Sequence, residues 1–246
     1  MSGLVLRLAG PLQSWGEHSA FAERDTQRFP TRSALIGLFA GAYGLRRGED
    51  LSRFAPLAFT IRIDRPGIPT VDFHTVGGGR ARQHTVPTAE GGRRSVETAT
   101  IVTRRHYLAD AVFVVGVSGP PSLIADLAER LRRPRWQPYL GRRSCPPDPP
   151  LLLRLTEDPV AELTERVPVP RHFADDGLLD FVQDGNHHDA ASVAELLDDP
   201  VSFASLERRY RPRTVSITPI AVPKHLWVGR GRSYQEALFT YAGAAP

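Results

Sequence analysis

Three stretches of the chain place cations beside groups that bind anions. In Arg28-Phe29-Pro30-Thr31-Arg32-Ser33, turn residues open an apolar run at helical spacing: Leu35, Ile36, Leu38, Phe39, Ala42 and Tyr43. A helix N-terminus presents unpaired N–H groups and a partial positive charge, which together hold a phosphate or carboxylate. Thr31 or Ser33 can cap such a helix, and Arg28 and Arg32 flank it with donors for charge-assisted bonds. An ordinary capped helix with solvated arginines fits the same residues. The second stretch, Arg135 to Pro146, carries Trp136 and Tyr139 and then Gly141-Arg142-Arg143-Ser144-Cys145. Aromatic rings with adjacent arginines make a stacking and phosphate surface for single-stranded nucleic acid; rings plugging the core beneath a loop are the alternative. The third runs from His74 to His106 and sets Arg80, Arg82, Arg93, Arg94, Arg104 and Arg105 against Glu90 and Glu97, with Gly77-Gly78-Gly79 and Gly91-Gly92 between. A basic, glycine-rich excursion between two strands is a candidate arm for wrapping a polyanion. A merely solvated loop is its rival.

Other motifs fall short. Gly77-Gly78-Gly79 lacks the Lys and Ser/Thr that complete a nucleotide-binding P-loop, so ATP is unsupported. The run Tyr107 to Val117 lacks the aromatic signature of RNA-recognition motifs. His187-His188-Asp189 sits in a polar, acidic stretch where solvated histidines outweigh a metal site. Cys145 is the single cysteine, which excludes an intramolecular disulfide or a cysteine zinc finger and fits a small buried residue. No metal and no cofactor is expected. His74, His84, His106 and Tyr107 could serve a metal-free ribonuclease by general acid–base catalysis, though their spacing does not demand it.

Six elements must position these residues. Leu4 to Leu8 reads as a buried strand ended by Gly10-Pro11, and the helix over Thr31 to Tyr43 follows, stopped by Gly44. Leu57 to Asp64 alternates Phe59, Ile61 and Ile63 with polar residues, a second strand stopped at Arg65-Pro66-Gly67. Tyr107 to Val117 is a third strand, and Pro120-Pro121-Ser122 opens a helix with Leu123, Ile124, Leu127, Ala128 and Leu131 on one side. Leu151 to Leu155 is the fourth strand. The order predicts an α+β, ferredoxin-like (RRM-like) βαββαβ body over residues 1–156, with a long insertion in its central connection. Residues 157–199 read as an acidic linker with a short helix near Val193 to Leu197. Residues 200–246 read as a small strand-rich part built on Val215 to Thr218 and Leu226 to Val228.

Charge follows the same division. The 246 residues carry a net of only +4. Residues 1–156 hold 22 Arg against 13 acids, a net of +9; residues 157–199 hold 2 Arg against 12 acids, a net of −10; residues 200–246 hold 6 Arg and 1 Lys against 2 acids, a net of +5. Thirty of the 31 basic residues are Arg, whose planar fork suits bidentate phosphate contacts, and a GC-rich genome favours the same bias. The −10 segment is expected away from any bound polyanion, facing solvent or a basic partner. An apolar share of 41% supplies a core and argues against disorder. The chain shows no secretory pattern, and its longest apolar run, Ala34 to Leu45, is far short of the roughly 20 residues that span a bilayer. A cytoplasmic protein without membrane contact is expected.

Several segments together closely resemble the CasD family, subunits of the type I-E CRISPR surveillance complex Cascade. They are Leu6 to Gly16, Arg28 to Gly37, Asp72-Phe73-His74-Thr75-Val76, Tyr107 to Ala111 and Pro138 to Pro146. The match spans residues 4 to about 155 and fades beyond Leu155. The resemblance implies a non-catalytic RNA-capping protein of the repeat-associated (RAMP) superfamily. It implies a thumb-like β-hairpin, here about Gly77 to Ile101, and a small C-terminal part. Such subunits hold the 5′ handle of the CRISPR RNA and contact the backbone subunit CasC and the large subunit CasA, meeting other subunits and target DNA through the complex. The RNA-binding residues expected are Gln13, Ser14, Trp15, Arg28, Thr31, Arg32, Ser33, Arg80, Arg82, Arg104, Arg105, His106, Tyr139, Gly141, Arg142, Arg143 and Ser144. Branches that lack a separate processing nuclease cut repeat RNA with Tyr, His and Lys side chains. Here the only Lys is Lys224, where the match has faded, which argues against cleavage.

Overall fold

A computed structural model describes residues 2–20, 22–88, 90–170, 177–204 and 207–243. The elements in chain order are β1 (Ser2–Ala9), β2 (Leu12–Gln13), β3 (Ser19–Ala20), β4 (Glu23–Arg24), α1 (Arg32–Tyr43), β5 (Ala58–Arg65), β6 (Ile68–Val76), β7 (Ile101–Ala109), β8 (Val112–Gly119) and α2 (Pro121–Arg132). They continue with β9 (Leu152–Thr156), α3 (Pro159–Glu165), β10 (Val169–Pro170), β11 (Leu178–Asp184), β12 (Ser192–Phe203), β13 (Arg208–Ala221), β14 (Trp227–Val228) and α4 (Arg232–Gly243). The result is a mixed α/β protein with one large antiparallel sheet and four helices among the described residues.

The large sheet has seven strands in the order β12-β13-β11-β5-β8-β1-β9. Its centre is decided by strand periodicity, because alternate residues of β1 and β8 point to opposite faces. Leu4, Leu6, Leu8, Phe113, Val115 and Val117 pack with Leu35, Ile36 and Phe39 of α1 and Ile124, Leu127 and Ala128 of α2. Val5 and Val114 face the other way, onto Leu163 of α3 and Tyr234, Leu238 and Tyr241 of α4. Burying each large apolar side chain contributes about 1.5–3 kcal/mol. Helices therefore cover both faces at the centre of the sheet.

The acidic segment departs from the linker expected for it. Residues 157–199 contribute α3, β11 and β12, and the helix expected near Val193 to Leu197 is part of the strand β12. That strand pairs antiparallel with β13 from Ser192↔Ile217 to Phe203↔Arg208, with irregularities between Leu196 and Asp199 and between Pro200 and Ser202. The segment after residue 200 likewise adds β13 to the large sheet and ends in the helix α4. Among the described residues no helix is long and apolar enough to cross a membrane.

A second, five-stranded sheet is built around β7. One edge of β7 pairs with β6 in continuous register, Ile68↔Ala109 to Val76↔Ile101, and the other pairs with β2 and β4. The excursion between β6 and β7 carries a short 3-10 turn at Arg82–His84 and an isolated bridge between Pro87 and Arg93.

Candidate nucleic-acid interface

Alternation along β7 sends its basic residues to two faces. Arg104 and His106 share one with Phe73 and Val71, their partners across the ladder. The Arg104 guanidinium lies 5.5 Å from the centroid of the Phe73 ring, and Phe73 is 63% exposed. Glu23 on β4 accepts from Arg104 at 3.4 Å and meets His106 Nε2 at 3.2 Å. The bond from His106, with Arg104 beside it, holds the Glu23 carboxyl below its ordinary value.

The other face carries Tyr107, Arg105 and, from β6, Asp72 and His74. Tyr107 is buried, and its hydroxyl lies 3.4 Å from His74 Nε2, which also pairs with Asp72 at 2.7 Å. Over the Tyr107 ring lies the Arg142 guanidinium, 4.8 Å from the centroid. Arg142 Nη2 donates to the Arg24 carbonyl at 3.1 Å, while Nη1 is buried without a hydrogen-bond partner among the described residues. Arg24 pairs with Arg105 across the β4–β7 ladder. Arg24, Arg105 and Arg142 thus converge, with Asp72 across the ladder from Arg105, and the excess of positive charge favours a polyanion.

The turn that presents Arg142 depends on close approach to the first strands. Leu140 N–H donates to the Cys145 carbonyl at 2.7 Å, and Cys145 N–H returns to the Arg142 carbonyl at 2.8 Å. Gly141 adopts φ +81°, and a Cβ there would sit 1.6 Å from the Ser14 carbonyl oxygen, so only glycine fits. Gln13, Ser14 and Trp15 are themselves buried. Gln13 Nε2 donates to the Leu8 and Ala111 carbonyls at 3.1 and 2.8 Å, and Ser14 Oγ donates to the His106 carbonyl at 3.0 Å. Trp15 stands edge-on to Phe113 with centroids 6.4 Å apart and has no ring face free for a base. These three hold the site in place from beneath. Cys145 is buried in the core below the turn, where desolvation pushes its thiol up. Tyr139 is half-buried, and Arg143 and Ser144 are exposed beside Arg142.

The helix start expected to hold a phosphate already holds an anion. Asp198, brought by β12, accepts from the Arg32 N–H at 2.7 Å and from Arg213 Nε and Nη2 at 2.6 and 2.9 Å. The Arg32 side chain is buried and engaged by Asp199 at 2.9 Å and by the Leu57 and Ala55 carbonyls at 2.9 and 3.3 Å. Thr31 is the N-cap residue, but its buried hydroxyl meets Ser33 Oγ at 3.3 Å and does not cap. The −10 segment is therefore not turned away from the arginines of the body, because part of it neutralises one of them. Arg28 stays exposed before this helix, and Arg80 and Arg82 stay exposed on the excursion.

Sequence reasoning left out Glu23, Arg24 and Phe73. Phe73 had a signal, since it alternates with Val71 and Thr75 along a strand whose outer edge is unpaired. Arg24 had none beyond its charge. Among the described residues no cluster of His, Cys, Asp and Glu could hold a metal ion.

Comparison with known proteins gives a concordant answer. The family model described as "CRISPR-associated protein (Cas_Cas5)" matches residues 3–216. The chain belongs to this family of CRISPR-associated proteins. It is 39% identical over 185 residues to the CRISPR system Cascade subunit CasD of Escherichia coli strain K12, covering 68% of this chain and 78% of that one. A chain of a solved "CRISPR RNA-guided surveillance complex" superposes with a TM-score of 0.87 at 51% identity, covering 98% of this chain and all of that one. A second structure, titled "Crystal structure of Cas protein", superposes with a TM-score of 0.65 at 31% identity over 93% of this chain and 98% of that one.

Proposed function

We propose that the chain is the CRISPR RNA-binding subunit of a Cascade-type surveillance complex, that it holds the 5′ handle of the RNA, and that it does not cut it. The observation that carries the reading is Arg142, half-buried on the Tyr107 ring, beside Arg24, Arg105 and exposed Arg143. In this reading the RNA backbone crosses Arg142 and Arg143, and Phe73 with Arg104 offers a stacking platform on the opposite face of the β6–β7 ladder. The neighbours β5-β8-β1-β9, joined through α1 and α2, act as a ferredoxin-like RNA-binding body over residues 1–156. The β6–β7 hairpin with its excursion, residues 77–101 included, is the thumb. CasC and CasA are the adjoining subunits, target DNA is met through the complex, and the assembly works in the cytoplasm.

Handle-containing RNA should bind the purified chain with an affinity that falls steeply as salt rises, because phosphate contacts release counterions. Replacing Arg142 and Arg143 together by Ala should weaken that binding, and salt-independent binding would sink the reading. A second reading, metal-independent cleavage of repeat RNA, is favoured by one observation: the Tyr107 hydroxyl lies 3.4 Å from His74 Nε2. Repeat RNA incubated with the protein in EDTA decides between them. Site-specific cleavage that disappears in His74→Ala or His106→Ala would establish the nuclease.

A further inference from the structure

A second cluster of arginines lies where α1 and α2 end. The turn after α1 folds onto the segment after α2: Arg135 N–H donates to the Ala42 carbonyl at 2.9 Å, and Trp136 N–H donates to the Gly41 carbonyl at 3.2 Å. Gly44, at φ +79°, permits this approach, since a Cβ there would meet Arg135 Cγ at 2.5 Å. Arg46 and Arg47 therefore come beside Arg133 and Arg135, all four exposed, and Trp136 is 44% exposed among them. Arg53 and Arg130 stand over the Tyr43 ring of the same helix end, 4.9 and 5.4 Å from its centroid.

These arginines are not consumed by the fold. Nearby acids are partly engaged elsewhere: Asp126 with Arg130 at 3.4 Å, Glu129 with Arg132 at 4.0 Å, and Asp50 with the Ser52 N–H at 3.0 Å. Among the described residues Arg46, Arg47, Arg133 and Arg135 form no side-chain ion pair, and Glu49 is exposed and unpaired beside them. Cations favour helix C-termini, but the terminal carbonyls of α1 are met by the N–H groups of Gly44, Leu45, Arg135 and Trp136. The guanidinium groups are left facing outward. Four exposed arginines and one glutamate, on the two segments that meet at the exposed Trp136, combine phosphate contact with base stacking.

We propose that Arg46, Arg47, Arg133, Arg135 and Trp136 form a second, sequence-independent contact for a nucleic-acid strand. The twelve residues of α1, about 18 Å long, lie between this patch and Arg28 at the other end of the helix. The patch takes the backbone of a strand that the handle site does not hold. The role goes beyond handle binding and does not need it to be true.

The test uses the full chain and a labelled 20-nucleotide oligo-dT, measured free and after saturation with unlabelled handle RNA. Oligo-dT should bind the saturated protein. Replacing Arg133 and Arg135 by Ala, or Arg46 and Arg47 by Ala, should lower the slope of log affinity against log salt by about 1.4, at about 0.7 per lost single-strand phosphate contact. Trp136→Ala should weaken binding about 5-fold or more. The two arginine pairs stand on different segments, so misfolding of one variant, read as a lowered Tm, leaves the other to decide. Unchanged binding in all three variants overturns the proposal, as does failure of oligo-dT to bind the saturated protein. So does a patch whose substitution abolishes binding of a poly-Glu peptide while oligo-dT binding stays the same. If handle RNA itself does not bind, the handle reading fails, and oligo-dT on the free protein still tests the patch.

Discussion

Arg142 and Arg32 both lie beside groups that attract anions, yet the fold uses them differently. Arg32 is buried and its donors are met by Asp199, Leu57 and Ala55. Arg142 is half-buried, rests on an aromatic ring and makes no side-chain ion pair among the described residues. Arg142→Ala should therefore lower RNA affinity and reduce the salt slope by about 0.7. Arg142→Lys should not restore the parent value, since an ammonium lacks the planar fork that lies on Tyr107 and donates to Arg24. Fluorescence anisotropy across a salt series measures both. Glu23 sets a second expectation at this scale. A carboxyl whose folded value is lowered contributes its contact above its unfolded value and loses it as pH falls through the folded one. NMR titration should place the Glu23 midpoint below 4.5 and move it upward in His106→Ala. Protonated Glu23 no longer opposes Arg104, so RNA binding should strengthen as pH falls through that midpoint, an effect that Glu23→Gln removes.

At the scale of elements, the turn at Gly141 links position to function. Gly141→Ala places a methyl against the Ser14 backbone, so the turn must move and carry Arg142 off Tyr107. A lowered Tm and weakened RNA binding should appear together, whereas Arg143→Ala, at an exposed site, should weaken binding with Tm unchanged. The core elements were legible in the sequence because they announce themselves locally: β1 and β5 by apolar patterning, α1 and α2 by helical spacing between Pro and Gly punctuation. Strand β12 was not. Val193, Leu196 and Leu197 recur at helical spacing, and Asp198-Asp199-Pro200 reads as a break. Its strand form comes from pairing with β13, in which two irregularities absorb that break. The candidate site was half legible for the same reason. Basic residues on β7 and the Gly141 turn are visible as composition, but burial of Trp15 and of Arg32 is a product of distant packing.

Across the whole molecule, the opposed charges of body and acidic segment are partly joined. Asp198 is 1% exposed and is shared by the α1 N-terminus and Arg213, while Asp199 bridges Arg32 and Arg211. Asp198→Ala removes the buried carboxylate shared by Arg213 and the Arg32 N–H while Arg213 keeps its pairing with Asp184, and should destabilise the protein by about 1–3 kcal/mol, read from urea unfolding. RNA affinity measured well below the new midpoint should be unaffected, because Asp198 touches none of Arg24, Arg105 and Arg142.

That carboxylate also imposes an order on synthesis. The first turn of α1 leaves the ribosome 166 residues before its anion does. At about 5–20 residues per second the interval is roughly 8 to 33 s. During it the helix start lacks Asp198, and the Arg32 side chain, destined for burial, lacks its partner Asp199. Completion of the helix start is thus a late event, and a chain that stalls before β12 carries the α1 N-terminus and Arg32 without Asp198 and Asp199.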